Sequence, residues 1–355
     1  MRILITGGAG FVGSHLAVAF RRHDPDGAVL AFDNLRRRGS ELNLSRLRQA
    51  GVSFVHGDIR CGGDLRDVPG RFDLIVDASA EPSVHAGLVG SPRYVIDTNL
   101  VGTIRTLELA SRRAGAFVFL STSRVYSVAP LRALELRETE TRFELAVQQA
   151  TPGVSACGVA ETFRTDLPRS LYGATKLASE LLVQEYAESL GLPAIIDRCG
   201  VIAGPGQFGK VDQGVFTMWV ASHLFGLPIS YTGFGGRGLQ VRDILHPDDL
   251  FALLLKQVSA LPKYSGEVFN AGGGPEGSVS LREWTGLCRE ATGVEVPVAE
   301  VPESPAVDVP YYVSDHRKAC AAYDWSPERD PRQIAQETAS WIRTNEGTLA
   351  PLFRR

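Results

Sequence analysis

Tyr172 and Lys176, in Tyr172-Gly-Ala-Thr-Lys176, are the residues of this chain best spaced to move a proton. On a helix, positions i and i+4 share one face. An ammonium beside a phenol favours the phenolate and is expected to lower its pKa. Tyr172 could then take or return a proton near neutral pH, and Lys176 could donate hydrogen bonds to a ribose. Alone, such a pair often marks only a solvated helix face. Its company matters: Ser121-Thr122-Ser123-Arg124-Val125-Tyr126 puts three hydroxyls behind the apolar run Phe117–Leu120. Hydroxyls at the carboxyl end of a parallel strand fall on the ligand side, where one could bind a substrate hydroxyl beside Tyr172. Spacing leaves open which one, and an ordinary Ser/Thr turn would read the same.

A further constellation opens the chain, where Ile3-Leu4-Ile5 runs into Gly7-Gly8-Ala9-Gly10-Phe11-Val12-Gly13. Glycine permits a tight turn and lets backbone approach a dinucleotide pyrophosphate. A helix starting near Gly10 would aim its unpaired N–H groups and positive dipole end at the phosphates. A glycine triplet alone is a weak signal. Here an apolar run precedes it, a helical pattern follows, and Asp33 closes a second apolar run, Ala28–Phe32, about 20 residues on. A carboxylate there accepts from a free ribose 2′-OH and repels a 2′-phosphate, which favours NAD. Arg36, Arg37 and Arg38 are the opposing signal, because an arginine at this turn can hold a 2′-phosphate; they are expected to face solvent or the adenosine edge.

These residues need an α/β scaffold. Apolar runs at Arg2–Thr6, Val29–Asp33, Val52–His56, Leu74–Asp77, Phe117–Ser121 and Pro193–Arg198 alternate with helical patterns such as Asn99–Ala114 and Tyr172–Leu190. Strands alternating with helices predict a Rossmann-type, doubly wound parallel sheet with ligands beyond the strands' carboxyl ends. Residues 1–200 are expected to form this domain. A strandless insertion over about 127–170, rich in Arg and Glu, is expected near the active face. Residues 201–355 are expected to form mainly a smaller substrate-binding lobe, interleaved with returns to the sheet. Val268–Ala271 reads as a short strand, and Ser280–Gly293 and Pro331–Arg343 as helices. Asp248 and Asp249 read as the first turn of a helix after Pro247, and Phe216, Trp219 and Phe225 as packing residues.

A chain of 355 residues is too long for one small core. Its net charge of −3 creates no field favouring nucleic acid or a membrane surface. No apolar run approaches the ~20 residues of a membrane span. The first residues lack the regions of a signal peptide, so the expected location is the cytoplasm. Cys61, Cys157, Cys199, Cys288 and Cys320 are odd in number and lack CxxC spacing, which suggests neither a disulfide framework nor a metal site.

Taken together, the motifs resemble the extended short-chain dehydrogenase/reductase family of nucleotide-sugar epimerases and dehydratases, over almost the whole chain. The resemblance rests on the glycine loop, Asp33-Asn34-Leu35, Gly57-Asp58-Ile59, Asp77-Ala78-Ser79-Ala80, Asn99, Ser121-Thr122-Ser123, Tyr172-x-x-x-Lys176 and Val241-Arg242-Asp243 through Leu250. It implies that Tyr172 is the active-site acid and base, that Lys176 supports it, and that Thr122 is the hydroxyl partner. It implies NAD as cofactor, with Gly7, Gly10, Phe11, Val12 and Gly13 at the pyrophosphate and Asp33 and Asn34 at the adenosine ribose. Asp58 and Ile59 would meet the adenine, Ala78 and Ala80 would line the cofactor path, and Asn99 would lie close by. Arg242 would bind the diphosphate of a nucleoside-diphosphate sugar, which suits its fork of donors. Ser123, Cys199, Gln213 and Phe216 are further substrate-contact candidates, and a homodimer or homotetramer is the expected assembly.

Within the family, Arg198-Cys199-Gly200-Val201-Ile202-Ala203-Gly204 and Val211-Asp212-Gln213-Gly214-Val215-Phe216 resemble the CDP-tyvelose (CDP-paratose) 2-epimerases. Ser123-Arg124 departs from the Asn-Lys of that subgroup. The resemblance implies transient oxidation to a keto-sugar, with hydride return to the opposite face at C2, and with C4 as the second choice of carbon. Dehydratases of the family carry Asp-Glu after the threonine. Arg124 cannot protonate a leaving hydroxyl, since its pKa lies above ~12. The cofactor motifs would also suit an NAD(P)-dependent reductase or a catalytically idle NAD-sensing module; intact Tyr172, Lys176 and Thr122 speak against the idle module.

Overall fold

Strands covered on both faces must be apolar nearly throughout, and the first half of the chain supplies such runs. In the computed structural model, which describes residues 1–88, 90–208 and 214–354, they form β1 (Arg2–Thr6), β2 (Ala28–Asp33), β3 (Ser53–His56), β4 (Leu74–Asp77), β5 (Phe117–Thr122), β6 (Ala194–Cys199) and β7 (Val268–Ala271). They make one seven-stranded sheet in the order β7-β6-β5-β4-β1-β2-β3. The registers that join β1 to β6 are all parallel. Every residue of β4, β5 and β6 is buried. This is the doubly wound sheet the alternation predicts, and its order reverses at β1 and β4, where ligands of such sheets bind.

Four helices matter to the site: α1 (Phe11–His23), α2 (Gly102–Arg113), α3 (Leu171–Ser189) and α4 (Pro247–Ala260). The expected helix Asn99–Ala114 differs in its first turns. A short helix over Arg93–Ile96 runs into a π-helical turn, Asp97–Val101, before α2 begins. Such turns are rare and often sit at functional positions. Here the turn carries Asn99. Ser170 caps α3 by accepting from the Gly173 N–H at 3.1 Å, which sets Tyr172 in the first turn.

The chain divides into two compact units. The first comprises Met1–Val125, Ser170–Cys199 and Leu250–Phe269; the second comprises Tyr126–Arg169, Gly200–Asp249 and Asn270–Arg355. The expected boundary therefore shifts. The insertion groups with the second unit rather than with residues 1–200. The reason is long-range pairing: Val159 and Val313 join at 2.8 Å, Asp315 donates to Val159 at 2.9 Å, and Phe143 donates to Leu239 at 2.9 Å. The insertion is also not strandless. Leu136–Glu138 pairs with Phe143–Leu145, and Val154–Ser155 with Gly158–Val159, both antiparallel. Strands of three and two residues are too short to show a period-2 pattern.

In the second unit, the strand Val241–Leu245 pairs with Val201–Ile202, Ser278–Ser280 and Tyr311–Tyr312. The helices Leu281–Thr292 and Pro331–Thr344 each start with a capping box, from Ser280 with Glu283 and from Asp330 with Gln333. Among the described residues, no helix is long and apolar enough to cross a membrane.

Candidate active site

The glycine loop joins β1 to α1, and the space around its glycines tests whether it suits a dinucleotide. A Cβ on Gly7 would stand 2.7 Å from the Ala78 carbonyl oxygen, and one on Gly13 2.1 Å from that of Gly7. Gly7 also has a φ of 67°, in the left-handed region that favours glycine. No side chain caps α1 at Gly10, so its first N–H groups are left to a ligand. Bare backbone beside an uncapped helix start fits a pyrophosphate. Phe11 and Val12 are half-buried in that first turn, and Ala78 packs against Gly7 while Ala80 is exposed.

At the end of β2, Asp33 accepts from the N–H groups of Ala9 (3.1 Å) and Leu35 (2.7 Å), tying its carboxylate to the glycine loop. Burial pushes its carboxyl up, and these N–H groups act against that. Asp58, beyond β3, accepts from Asn34 Nδ2 at 3.0 Å and from the Arg60 guanidinium, with Nη2 at 2.6 Å. Burial raises the Asp58 carboxyl, but Arg60 and Asn34 outweigh it and hold it at about 2. Ile59 is buried, in a place open only because residue 102 is glycine: a Cβ there would stand 2.4 Å from Ile59 Cδ1. Asn99 accepts from Glu81 N (2.7 Å) and donates to Glu81 O (3.0 Å) and Thr175 Oγ1 (3.3 Å). It thereby joins the segment after β4 to the helix that carries Tyr172.

Tyr172 meets Thr122. The Thr122 hydroxyl lies near enough to act on the phenol, and it favours the phenolate. The neighbouring hydroxyls are engaged or placed otherwise: Ser121 donates to Glu180, and Ser123 begins the next turn, half-buried. The expected lowering of the Tyr172 pKa is not found. Burial dominates and pushes the phenol up to about 12, against the pull of Thr122 and Arg124. Lys176 is 1% exposed, and its Nζ lies 3.9 Å from the centroid of the Phe119 ring. Burial lowers it to about 8, while Asp77, Cys199 and Glu180 work in the other direction.

Sequence reasoning missed the charges beneath this pair. Glu180 and Arg198 form a buried ion pair, with Nη2 and Oε2 at 2.7 Å. Asp77 accepts from Thr6 (2.6 Å) and Thr103 (3.0 Å). A signal for Glu180 existed: Tyr172, Lys176 and Glu180 are successive i, i+4 positions on one helix face. Nothing local marked Arg198 as its partner.

The remaining candidates divide between the units. Cys199 ends β6 in register with Thr122, and burial pushes its thiol well up. In the second unit, Arg242 donates to Asp308 Oδ1 and to the Val309 carbonyl, each at 2.7 Å. Phe216 is 1% exposed; its ring meets Trp284 edge-on at 5.1 Å, and its carbonyl accepts from Trp284 Nε1 at 3.1 Å. Gln213 lies outside the described residues.

Known proteins resemble this chain over most of its length. The model of the NAD dependent epimerase/dehydratase family matches residues 3–272. CDP-paratose 2-epimerase of Salmonella typhi is 30% identical over 351 residues, 96% of this chain and 99% of that protein. A dTDP-glucose 4,6-dehydratase of Streptomyces niveus is 32% identical over 360 residues, 99% of this chain and 96% of that protein. Among solved structures, a dTDP-glucose 4,6-dehydratase of Streptomyces venezuelae crystallised with NAD is 27% identical. It covers 99% of this chain and 100% of that one, with a TM-score of 0.78. The match over residues 3–272 shows that this chain belongs to the NAD dependent epimerase/dehydratase enzyme family.

Proposed function

We propose that the protein epimerises a nucleoside-diphosphate sugar, a CDP-sugar at C2. The observation that carries this reading is the surroundings of the Thr122–Tyr172 pair. The residues after Thr122 are Ser123 and Arg124, and neither can protonate a leaving hydroxyl at ordinary pH. The pair can therefore exchange a proton with a sugar hydroxyl, but no acid follows it to expel water. NAD, when bound, supplies the redox chemistry by taking up and giving back a hydride. The chain's own residues handle the proton. The Tyr172 oxygen takes it from the sugar hydroxyl as the carbon is oxidised and restores it on reduction. Thr122 is assigned to hold the same oxygen, and Lys176 to bind the cofactor ribose. The identity with CDP-paratose 2-epimerase supports CDP and C2. Arg242 is assigned to the diphosphate, which requires it to exchange part of its bond to Asp308 for a phosphate.

A second reading, dehydration, is favoured by the 32% identity to a dTDP-glucose 4,6-dehydratase. One experiment separates the two. The purified protein is offered CDP-, UDP-, GDP- and dTDP-sugars in heavy water, and the products are read by NMR and mass spectrometry. Epimerisation gives a product of unchanged mass, inverted at C2, with almost no deuterium on that carbon. Loss of water would establish the dehydratase reading, and inversion at C4 would move the site of reaction.

A further inference from the structure

The turn after β2 has an unusual shape. Leu35 has a φ of 54°, a left-handed conformation that a bulky side chain adopts only under constraint. Asp33 supplies the constraint by accepting from the Leu35 N–H at 2.7 Å. The next residue, Arg36, donates its own N–H to Asn34 Oδ1 at 3.0 Å. Its guanidinium carbon then lies 4.1 Å from the centroid of the Tyr94 ring, on the short helix Arg93–Ile96. Arg60 reaches the same ring, at 4.9 Å. Both lie inside the roughly 6 Å range over which an aromatic face attracts a cation.

The two arginines differ in one respect. Arg60 is forked onto the Asp58 carboxylate, with contacts of 2.6 to 3.1 Å. Arg36 makes no ion pair among the described residues, so the Tyr94 ring is what holds its charge. Arg36 stands three residues beyond Asp33, on the turn from which an arginine in this type of fold takes hold of a 2′-phosphate. A guanidinium free to turn there would offer two parallel hydrogen bonds to that phosphate. One held at the Tyr94 ring must give up that contact to reach the phosphate, a cost of about 0.5–1 kcal/mol, or about 2- to 5-fold, at an exposed site.

We propose that Tyr94 determines cofactor specificity: by holding Arg36 on its ring, it puts a cost on the guanidinium that a 2′-phosphate would need beside Asp33. The site then selects a dinucleotide with a free 2′-hydroxyl through two devices, the repelling carboxylate of Asp33 and the withdrawn cation of Arg36. The proposal rests on the ribose lying at Asp33 and is independent of which sugar reacts.

Affinities of the full chain for NAD and NADP, measured by calorimetry with thermal unfolding of each variant as the folding control, test it. Tyr94→Leu is expected to improve NADP binding relative to NAD by about 2- to 5-fold, the worth of the exposed cation–π contact it removes. Tyr94→Phe keeps the ring and is expected to keep the wild-type ratio. Adding Arg36→Ala to Tyr94→Leu is expected to erase the gain. An unchanged ratio in Tyr94→Leu, or a gain that survives Arg36→Ala, would overturn the role of Tyr94. Asp33→Ala tests the premise separately: NAD affinity that does not fall would remove the ribose from Asp33, and the proposal with it.

Discussion

Tyr172 combines two opposing influences on one oxygen. Burial disfavours its phenolate, while Thr122 and Arg124 favour it. Replacing Tyr172 with Phe removes the group placed to exchange the sugar proton beside Thr122. Turnover is expected to fall at least ~100-fold, with NAD affinity, read by calorimetry, kept within a few-fold; unimpaired turnover would contradict the mechanism. Arg124 allows a test of sign. Its charge lowers the Tyr172 pKa, so Arg124→Ala is expected to raise it further. The base form then appears only at higher pH, and the acidic limb of the kcat profile should move upward; a limb that stays in place would show that Tyr172 is not the titrating base. That Tyr172 and Lys176 share a helix face is legible from spacing, but the direction of the Tyr172 shift is not. Four residues on a helix place two side chains on one face and say nothing of how deep that face lies.

At the scale of elements, β6 joins the site to the interior. It carries Arg198, paired with Glu180 of α3, and Asp197, which accepts from Gln257 Nε2 of α4 at 2.7 Å. Burial raises Asp197 to about 7, against the hydrogen bond from Gln257. Its folded pKa lies above the ordinary 3.8, so the native state holds the proton more tightly than the unfolded chain. The stability this confers is complete below about pH 4 and lost as pH rises toward 7 and beyond. Asp197→Asn is expected to flatten that dependence, with a stability gain over wild type at pH 8 that vanishes near pH 4. Urea unfolding at the two pH values measures it, and parallel curves for both proteins would refute it. The strands themselves were legible because parallel, doubly covered strands must be apolar. The π-helical turn at Asp97–Val101 was not, since helical spacing of Leu100, Ile104 and Leu107 reads as one regular helix.

For the molecule as a whole, the family is NAD dependent. Binding restricted to the folded state stabilises it by about 2.7 kcal/mol at 100 times the dissociation constant. Cofactor-free protein should therefore melt higher as NAD is added, with little response to nicotinamide mononucleotide, which lacks the adenosine proposed to lie at Asp33 and Asp58. Equal responses to the two would argue against the adenosine site. The division into units shows where linear reading stops. Tyr126–Arg169 lies between β5 and α3 in the chain, yet it groups with the second unit. Its ties to Val313 and Leu239 span more than a hundred and about a hundred residues of sequence, a separation that no local pattern encodes.

The amino-acid sequence by itself determined the class of chemistry, the glycine cradle and the parallel sheet. Each depends on features a few residues long: a Tyr-x-x-x-Lys on a helix face, glycines where a Cβ cannot fit, apolar runs alternating with helices. Spacing leaves three adjacent hydroxyls open for Tyr172 and the resemblance implies Thr122, while the tertiary structure puts Thr122 beside Tyr172. Only the tertiary structure decided that Lys176 and Tyr172 are shifted by burial, that Glu180 finds Arg198, and that Arg36 rests on Tyr94. Those outcomes depend on depth and on distant partners, which arise when the chain closes on itself.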